Sequence, residues 1–213
     1  MKRILLRSGI ALVAFALGVA VTVIWISIGP SDTIPPLVSG GCIPRYDAGV
    51  LAARIREDDD PQFFGSFQEL PVYALPDCVD EAYSLSWIPS FHEPVYVRVW
   101  HSSEGSFITA KMLESKGWSR FGNVKAEHSR PLTSFEWSNF KALLNRTSYW
   151  DQPSAVSGLP PQDGAVWVVE GVRDQRRHMV HRRVPDEQFA EICKHLIRLS
   201  GLETAHALYL PSE

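Results

Sequence analysis

A chain of 213 residues with 45% hydrophobic content is enough for one globular domain with a sizeable core plus a targeting segment. Setting aside Lys2, Arg3 and Arg7 at the N-terminus leaves 18 cations against 24 anions, a net −6, which argues against nonspecific nucleic-acid binding. The 3 cysteines have no C-x-x-C spacing, which argues against a zinc site.

Residues 8–31 carry no charge, and residues 10–28 are apolar except for Gly18, Thr22 and Ser27. At about 1.5 Å per helical residue this length suits a bilayer core about 30 Å thick. The reading is an N-terminal membrane anchor over residues 1–29, a Pro, Gly and Ser rich linker over residues 30–44, and an extracytoplasmic α+β domain over residues 45–213. No Lys or Arg follows Arg7 until Arg45, so the positive-inside rule keeps the N-terminus cytoplasmic. The domain is then expected on the periplasmic or extracellular side of a bacterial inner membrane. A cleaved signal peptide is the alternative, but its apolar core usually runs only about 7 to 15 residues before a small-residue site. Gly29, Pro30, Ser31 and Asp32 match such a site poorly.

Residues 48–56 read as a short helix ending in the acidic run 57–60, a solvated edge. In an oxidising compartment two of the three cysteines are expected to pair. Cys42 and Cys78 lie in Pro-rich irregular segments, whereas Cys193 falls on the apolar side of a helix as a small buried thiol, so the expected disulfide is Cys42 to Cys78.

Strands are expected over residues 83–89, 95–100, 107–114 and 124–130. Val95, Val97 and Val99 alternate with Tyr96, Arg98 and Trp100, giving one aliphatic and one amphipathic side. Thr133 and Glu136 form a T-x-x-E capping box that starts a helix, with Trp137, Phe140, Leu143 and Leu144 turned to the sheet. Residues 150–164 read as a loop.

The stretch 165–183 carries the clearest hairpin signal and the densest positive charge. With Asp174 and Gln175 as the loop, Trp167 falls opposite Arg182, Val169 opposite Val180 and Gly171 opposite His178. One face should then hold Trp167, Val169 and Val180 against the helices, with Trp167 and Arg182 in cation–π reach and Arg173, Arg176 and Arg177 in water. Asp186 caps a last helix with the stripe Phe189, Ile192, Cys193, Leu196 and Leu199, ended by Gly201. The expected architecture is an antiparallel sheet of about six strands with two helices on one face, preceded by a single transmembrane helix.

No arrangement of nucleophiles, metal ligands or phosphate loops specifies a reaction, so no catalytic residue, metal site or cofactor is assigned. Arg173, Arg176, Arg177, Arg182 and Arg183 stand against Asp174 within eleven residues. Their guanidinium groups can fork onto carboxylate or phosphate, so Arg173, Arg176, Arg177, His178 and Arg182 are candidates for binding an acidic envelope component or protein partner. The competing use is a solvated tip that keeps a sheet edge from pairing with other chains. His178 and His181 are an odd number apart and face opposite sides of a strand, which argues against a shared metal ion. An interaction or structural module tethered to the membrane is therefore the expected function, and a cell-envelope hydrolase the alternative.

Tyr83, Trp87, Phe91, Pro94 and Val97, then Trp150, then Trp167, Glu170, Gly171, His178, Val180, Arg182 and Pro185 form a pattern like W-x-x-E-G followed by H-x-V-x-R-x-x-P. Over residues 83–202 the chain resembles a bacterial family of uncharacterised proteins that share it. The resemblance implies co-membership and carries no mechanism.

Overall fold

The computed structural model describes residues 61–116, 121–155 and 164–204. The expected anchor over 1–29, the linker over 30–44, Cys42 and the helix over 48–56 lie outside the described residues. Among the described residues no helix is long and apolar enough to cross a membrane.

Six strands form one antiparallel sheet: β1 (Val79–Pro89), β2 (Val95–Ser102), β3 (Gly105–Ser115), β4 (Phe121–Leu132), β5 (Ala165–Arg173) and β6 (Arg176–Arg182). Their order across the sheet is β4-β3-β2-β1-β5-β6. Among the described residues three α-helices pack with the sheet: α1 (Pro61–Phe67), α2 (Ser134–Arg146) and α3 (Glu187–Ser200). The α+β class and the antiparallel six-stranded sheet agree with the sequence pattern. β1 and β4 run longer than expected: β1 begins at Val79, with Glu81 and Ala82 already paired to β2 and β5, and β4 extends at both ends, from Phe121 to Leu132.

One face of the sheet is apolar and lies under α2 and α3. Tyr83, Leu85, Trp87, Val97, Val169 and Val180 meet Phe140, Leu144, Phe189, Ile192 and Leu196 in a single buried cluster. Trp87 and Trp167 stack at the centre, with ring centroids 5.3 Å apart at 27°. The helices are placed by their caps: Thr133 and Glu136 complete the capping box of α2, and Asp186 Oδ1 accepts from the Phe189 backbone N–H of α3.

The opposite face is also covered. Phe63 and Phe67 of α1 pack on Tyr96 and Leu113, while Val72, in a 3-10 turn (Val72–Ala74), packs with Ala82, Trp100 and Phe107. Between these two apolar clusters lies a buried ionic network. Gln68 adopts a left-handed φ of 52°, ends α1 and directs Glu69 onto the sheet. Glu69 accepts from Arg98 at 2.7 Å and from Lys111 at 2.8 Å, and the exposures of all three residues lie between 3% and 7%. Lys111 also donates to the Phe67 carbonyl at 2.8 Å, and the Tyr96 hydroxyl donates to the Leu70 carbonyl at 3.3 Å. The amphipathic side of β2 is therefore the underside of a cover.

Candidate functional site

The β5–β6 hairpin turns at Asp174 and Gln175, with φ of 52° and 61°. Two positive φ angles match the twist of the flanking strands and close a two-residue loop. The register is the expected one: Trp167 opposite Arg182, Val169 opposite Val180, Gly171 opposite His178. Because Arg173 also lies opposite Glu81, the tip stands beside the start of β1.

The structure divides the five candidate binding residues among three environments. Arg173 and Arg176 share the α2 side, where their guanidinium groups lie 5.0 and 5.2 Å from the Trp150 ring. Trp150 sits in a 3-10 turn (Tyr149–Asp151) within the segment expected to be a loop, and it is 8% exposed. Arg176 Nη2 donates to the Trp150 carbonyl at 2.9 Å, and Arg173 Nε lies 3.6 Å from Asp174. Arg176 is exposed and Arg173 half-buried, so the pair reaches solvent from an immobilised indole.

Arg177 points to the other face, pairs with the buried Glu170 and lies 4.2 Å from the Tyr73 ring. Arg182 is 3% exposed, and this corrects its assignment to a solvent-facing anion site. Its guanidinium donates to the Pro153 carbonyl at 2.8 Å and lies 5.5 Å from the Phe189 ring. Arg182 thus fastens the 153–155 segment, which covers the edge of β6 through the His181 N–H to Ser154 carbonyl bond of 2.7 Å. His178 packs on Tyr149 and Trp150, and burial together with Arg176 holds its pKa below the ordinary histidine value. Its ring therefore favours the neutral form, which weakens it as an anion ligand.

Glu81 is the hub of the tip. It accepts from the Tyr83 hydroxyl and from Lys141 Nζ of α2, and burial followed by the Glu81 carboxylate pushes the Tyr83 pKa up, so that hydroxyl stays protonated. Lys141 also lies over the Tyr83 and Trp137 rings, at 5.6 and 5.8 Å. On the outer side Glu81 borders a cleft of about 600 Å³ between the segment 72–82 and the hairpin tip. Leu75, Val79 and Val172 are half-buried along it, while Val72 and Ala82 are buried beneath, packed with the stacked rings of Trp100 and Phe107. Asp77, Asp80 and Asp174 stand exposed along its walls.

Sequence reasoning missed this cleft, because its residues come from two separate segments and share no spacing. The one local signal is the sequence at 77–81, Asp-Cys-Val-Asp-Glu, which places three carboxylates at the start of a strand. Cys78 in that sequence is disulfide-bonded, whereas Cys193 is a free buried thiol whose pKa burial drives upward.

A serine–histidine contact exists elsewhere on the sheet: His101 Nδ1 lies 2.9 Å from Ser106 Oγ. Ser106 is 8% exposed, the His101 ring stacks on Trp137 at 5.5 Å, and neither residue lines the cleft. Among the described residues no group of three or more His, Cys, Asp or Glu is placed to hold a metal ion.

The residues of the W-x-x-E-G and H-x-V-x-R-x-x-P pattern have packing roles in this structure. Trp167 stacks on Trp87, Glu170 pairs with Arg177, Val180 is buried and Arg182 holds carbonyls. A Cβ on Gly171 would lie 2.6 Å from the Tyr83 ring, so the close approach of that ring requires glycine. No family model matches the chain, and no curated protein matches it.

Proposed function

We propose that this chain is a single-pass membrane protein whose extracytoplasmic domain is an interaction module, recognising an acidic protein or envelope component through Arg173 and Arg176. The observation that carries the binding role is the support of both guanidinium groups by one buried indole. Stacking on a ring fixes a guanidinium plane while leaving N–H edges free to fork onto a carboxylate or phosphate, so less entropy is lost on binding. The tether is supported by the 24 uncharged residues that follow Lys2, Arg3 and Arg7.

Two measurements test the parts separately. A reporter fused after Glu213 should be active only outside the cytoplasm, and cytoplasmic activity would remove the tether. Crosslinking in cells should recover a partner with wild type and lose it with the Arg173→Ala, Arg176→Ala double variant. Recovery of every partner by that variant would remove the binding role of the pair.

A further inference from the structure

Three side chains able to carry positive charge meet on one indole. Arg173 and Arg176 lie 5.0 and 5.2 Å from the Trp150 ring, and the His178 ring meets the same indole with centroids 6.0 Å apart at 34°. The register sets this up: Arg173 stands opposite Arg176 and Gly171 opposite His178, so the histidine shares a face with both arginines. Tyr149 holds it there, with its ring 5.2 Å from the imidazole and its hydroxyl donating to the His178 carbonyl at 2.9 Å. His178 Nε2 is shut off from solvent and, among the described residues, has no hydrogen-bond partner. Gln152 Oε1, just after the Tyr149–Asp151 turn, is likewise buried without a donor.

The groups facing the imidazole set the sign of its response. Arg176 on its own strand and Arg173 diagonally across oppose a positive charge on the ring, whereas Asp151 favours one. Tyr149 adds no charge, because burial raises its pKa. Burial and Arg176 prevail, so the free tip holds His178 neutral. An anion forked onto Arg173 and Arg176 offsets the guanidinium charge beside the ring and adds negative charge of its own. Protonation then supplies a third cation, and a further N–H donor, on the indole that supports the anion's ligands.

We infer that anion binding at Arg173 and Arg176 is coupled to proton uptake by His178, so that the hairpin tip grips an acidic partner more tightly in an acidic medium. The inference rests on the reading of the arginine pair as a binding surface and adds its regulation. By linkage, each event favours the other by the same factor. Charges separated by about one side chain and partly screened by solvent couple by about three- to tenfold.

The test is titration of the full-length protein, in neutral detergent micelles at fixed ionic strength, with meta-benzenedisulfonate. Both charges of that probe stay constant across the range of about pH 5 to 8 in which histidine changes charge. Wild type should bind it about three- to tenfold more tightly at about pH 5.5 than at about pH 8. Saturating disulfonate should move the midpoint of the His178 imidazole titration, followed by NMR, up by about 0.5 to 1 pH unit. His178→Gln should keep the affinity measured at high pH within about twofold and lose the rise, whereas His181→Gln, on the opposite face of β6, should keep the rise. If the His178→Gln protein does not fold, the imidazole midpoint of wild type decides alone. Arg173→Ala with Arg176→Ala should abolish binding at either pH. No binding by wild type, or binding that survives loss of both arginines, removes the arginine reading and the inference with it. Binding that needs the arginines but ignores pH, a rise kept by folded His178→Gln, or an imidazole midpoint unmoved by the probe overturns the coupling and leaves the arginine pair standing.

Discussion

The two faces of the sheet are both covered, but by different physics. The α2 and α3 face is closed by shape: rings and branched aliphatic side chains interdigitate around the Trp87 and Trp167 stack. The outer face is closed by pairing, with Glu69 brought from above onto Arg98 and Lys111 in the middle of the sheet. Apolar packing accepts many solutions of similar volume, whereas two buried cations accept a cover only where a carboxylate and carbonyls arrive in register. The ionic face therefore specifies where the cover sits. That placement carries the chain into the 72–82 segment and hence into the wall of the cleft.

The largest effects should come from breaking each face by its own mechanism. Trp167→Ala removes a fully buried ring from the stack and should cost about 3 to 5 kcal/mol, enough to unfold a marginally stable domain in a chemical denaturation series. Glu69→Ala should cost about 3 kcal/mol or more, because Arg98 loses its carboxylate and Lys111 keeps only Glu127, at 3.8 Å, while both remain under the cover. Replacing all three with apolar residues of similar size should recover most of that loss. Recovery by the triple replacement, set against no comparable rescue of Trp167→Ala by repacking, is the result that separates pairing from shape.

An intermediate effect concerns pH. Burial, aided by Arg176, by Arg183 and Arg182, and by Arg198, lowers the pKa values of His178, His181 and His195 respectively. A histidine whose folded value lies below its unfolded value of about 6.5 binds fewer protons when folded. Its contribution is whole above that pH and is lost as the pH falls through the folded value. The melting temperature should therefore drop between neutral pH and pH of about 5, and a His195→Phe variant, whose ring replaces the imidazole stacked on Phe140, should drop less. Glu136 acts in a lower window: Arg130 and the Thr133 backbone hold its pKa down to about 2, so its contribution fades only below the usual carboxylate value. At neutral pH, Thr133→Ala should cost about 1 kcal/mol through the lost cap of α2.

The difference between the faces also explains what could be read from residues alone. The hairpin register followed from β-branched runs around a two-residue polar turn, and the start of α2 from the Thr133 and Glu136 spacing, because each signal is local. The apolar face followed from alternation at Val95, Val97 and Val99. The outer face was illegible for a physical reason: Ser84, Arg98, Thr109 and Lys111 have the composition of a solvated surface, yet all are buried. The burial of Arg98 and Lys111 depends on Glu69 and on carbonyls 28 and 44 positions away, and no periodicity reports a long-range ion pair. The same blindness made five clustered cations look like one site. Only placement showed that Arg182 is a buried clasp, that Arg177 belongs to Glu170, and that Arg173 and Arg176 remain at the surface.

The smallest expected effect on stability is therefore the most informative about function. Arg173 and Arg176 reach solvent, and their neighbours on Trp150 stay packed without them, so Arg173→Ala with Arg176→Ala should shift stability by about 1 kcal/mol or less. Arg177→Ala should cost more, because it takes the guanidinium from a carboxylate on a residue only 5% exposed. If the pair recognises an acidic partner, the double variant keeps its melting temperature and loses capture, and capture by wild type weakens as salt rises. The Arg177→Ala variant shows the converse, a lowered melting temperature with capture retained below the transition. Loss of capture by Arg177→Ala at a temperature where it is folded, with capture kept by the double variant, would move the binding surface from the Trp150 side of the hairpin to the cleft side.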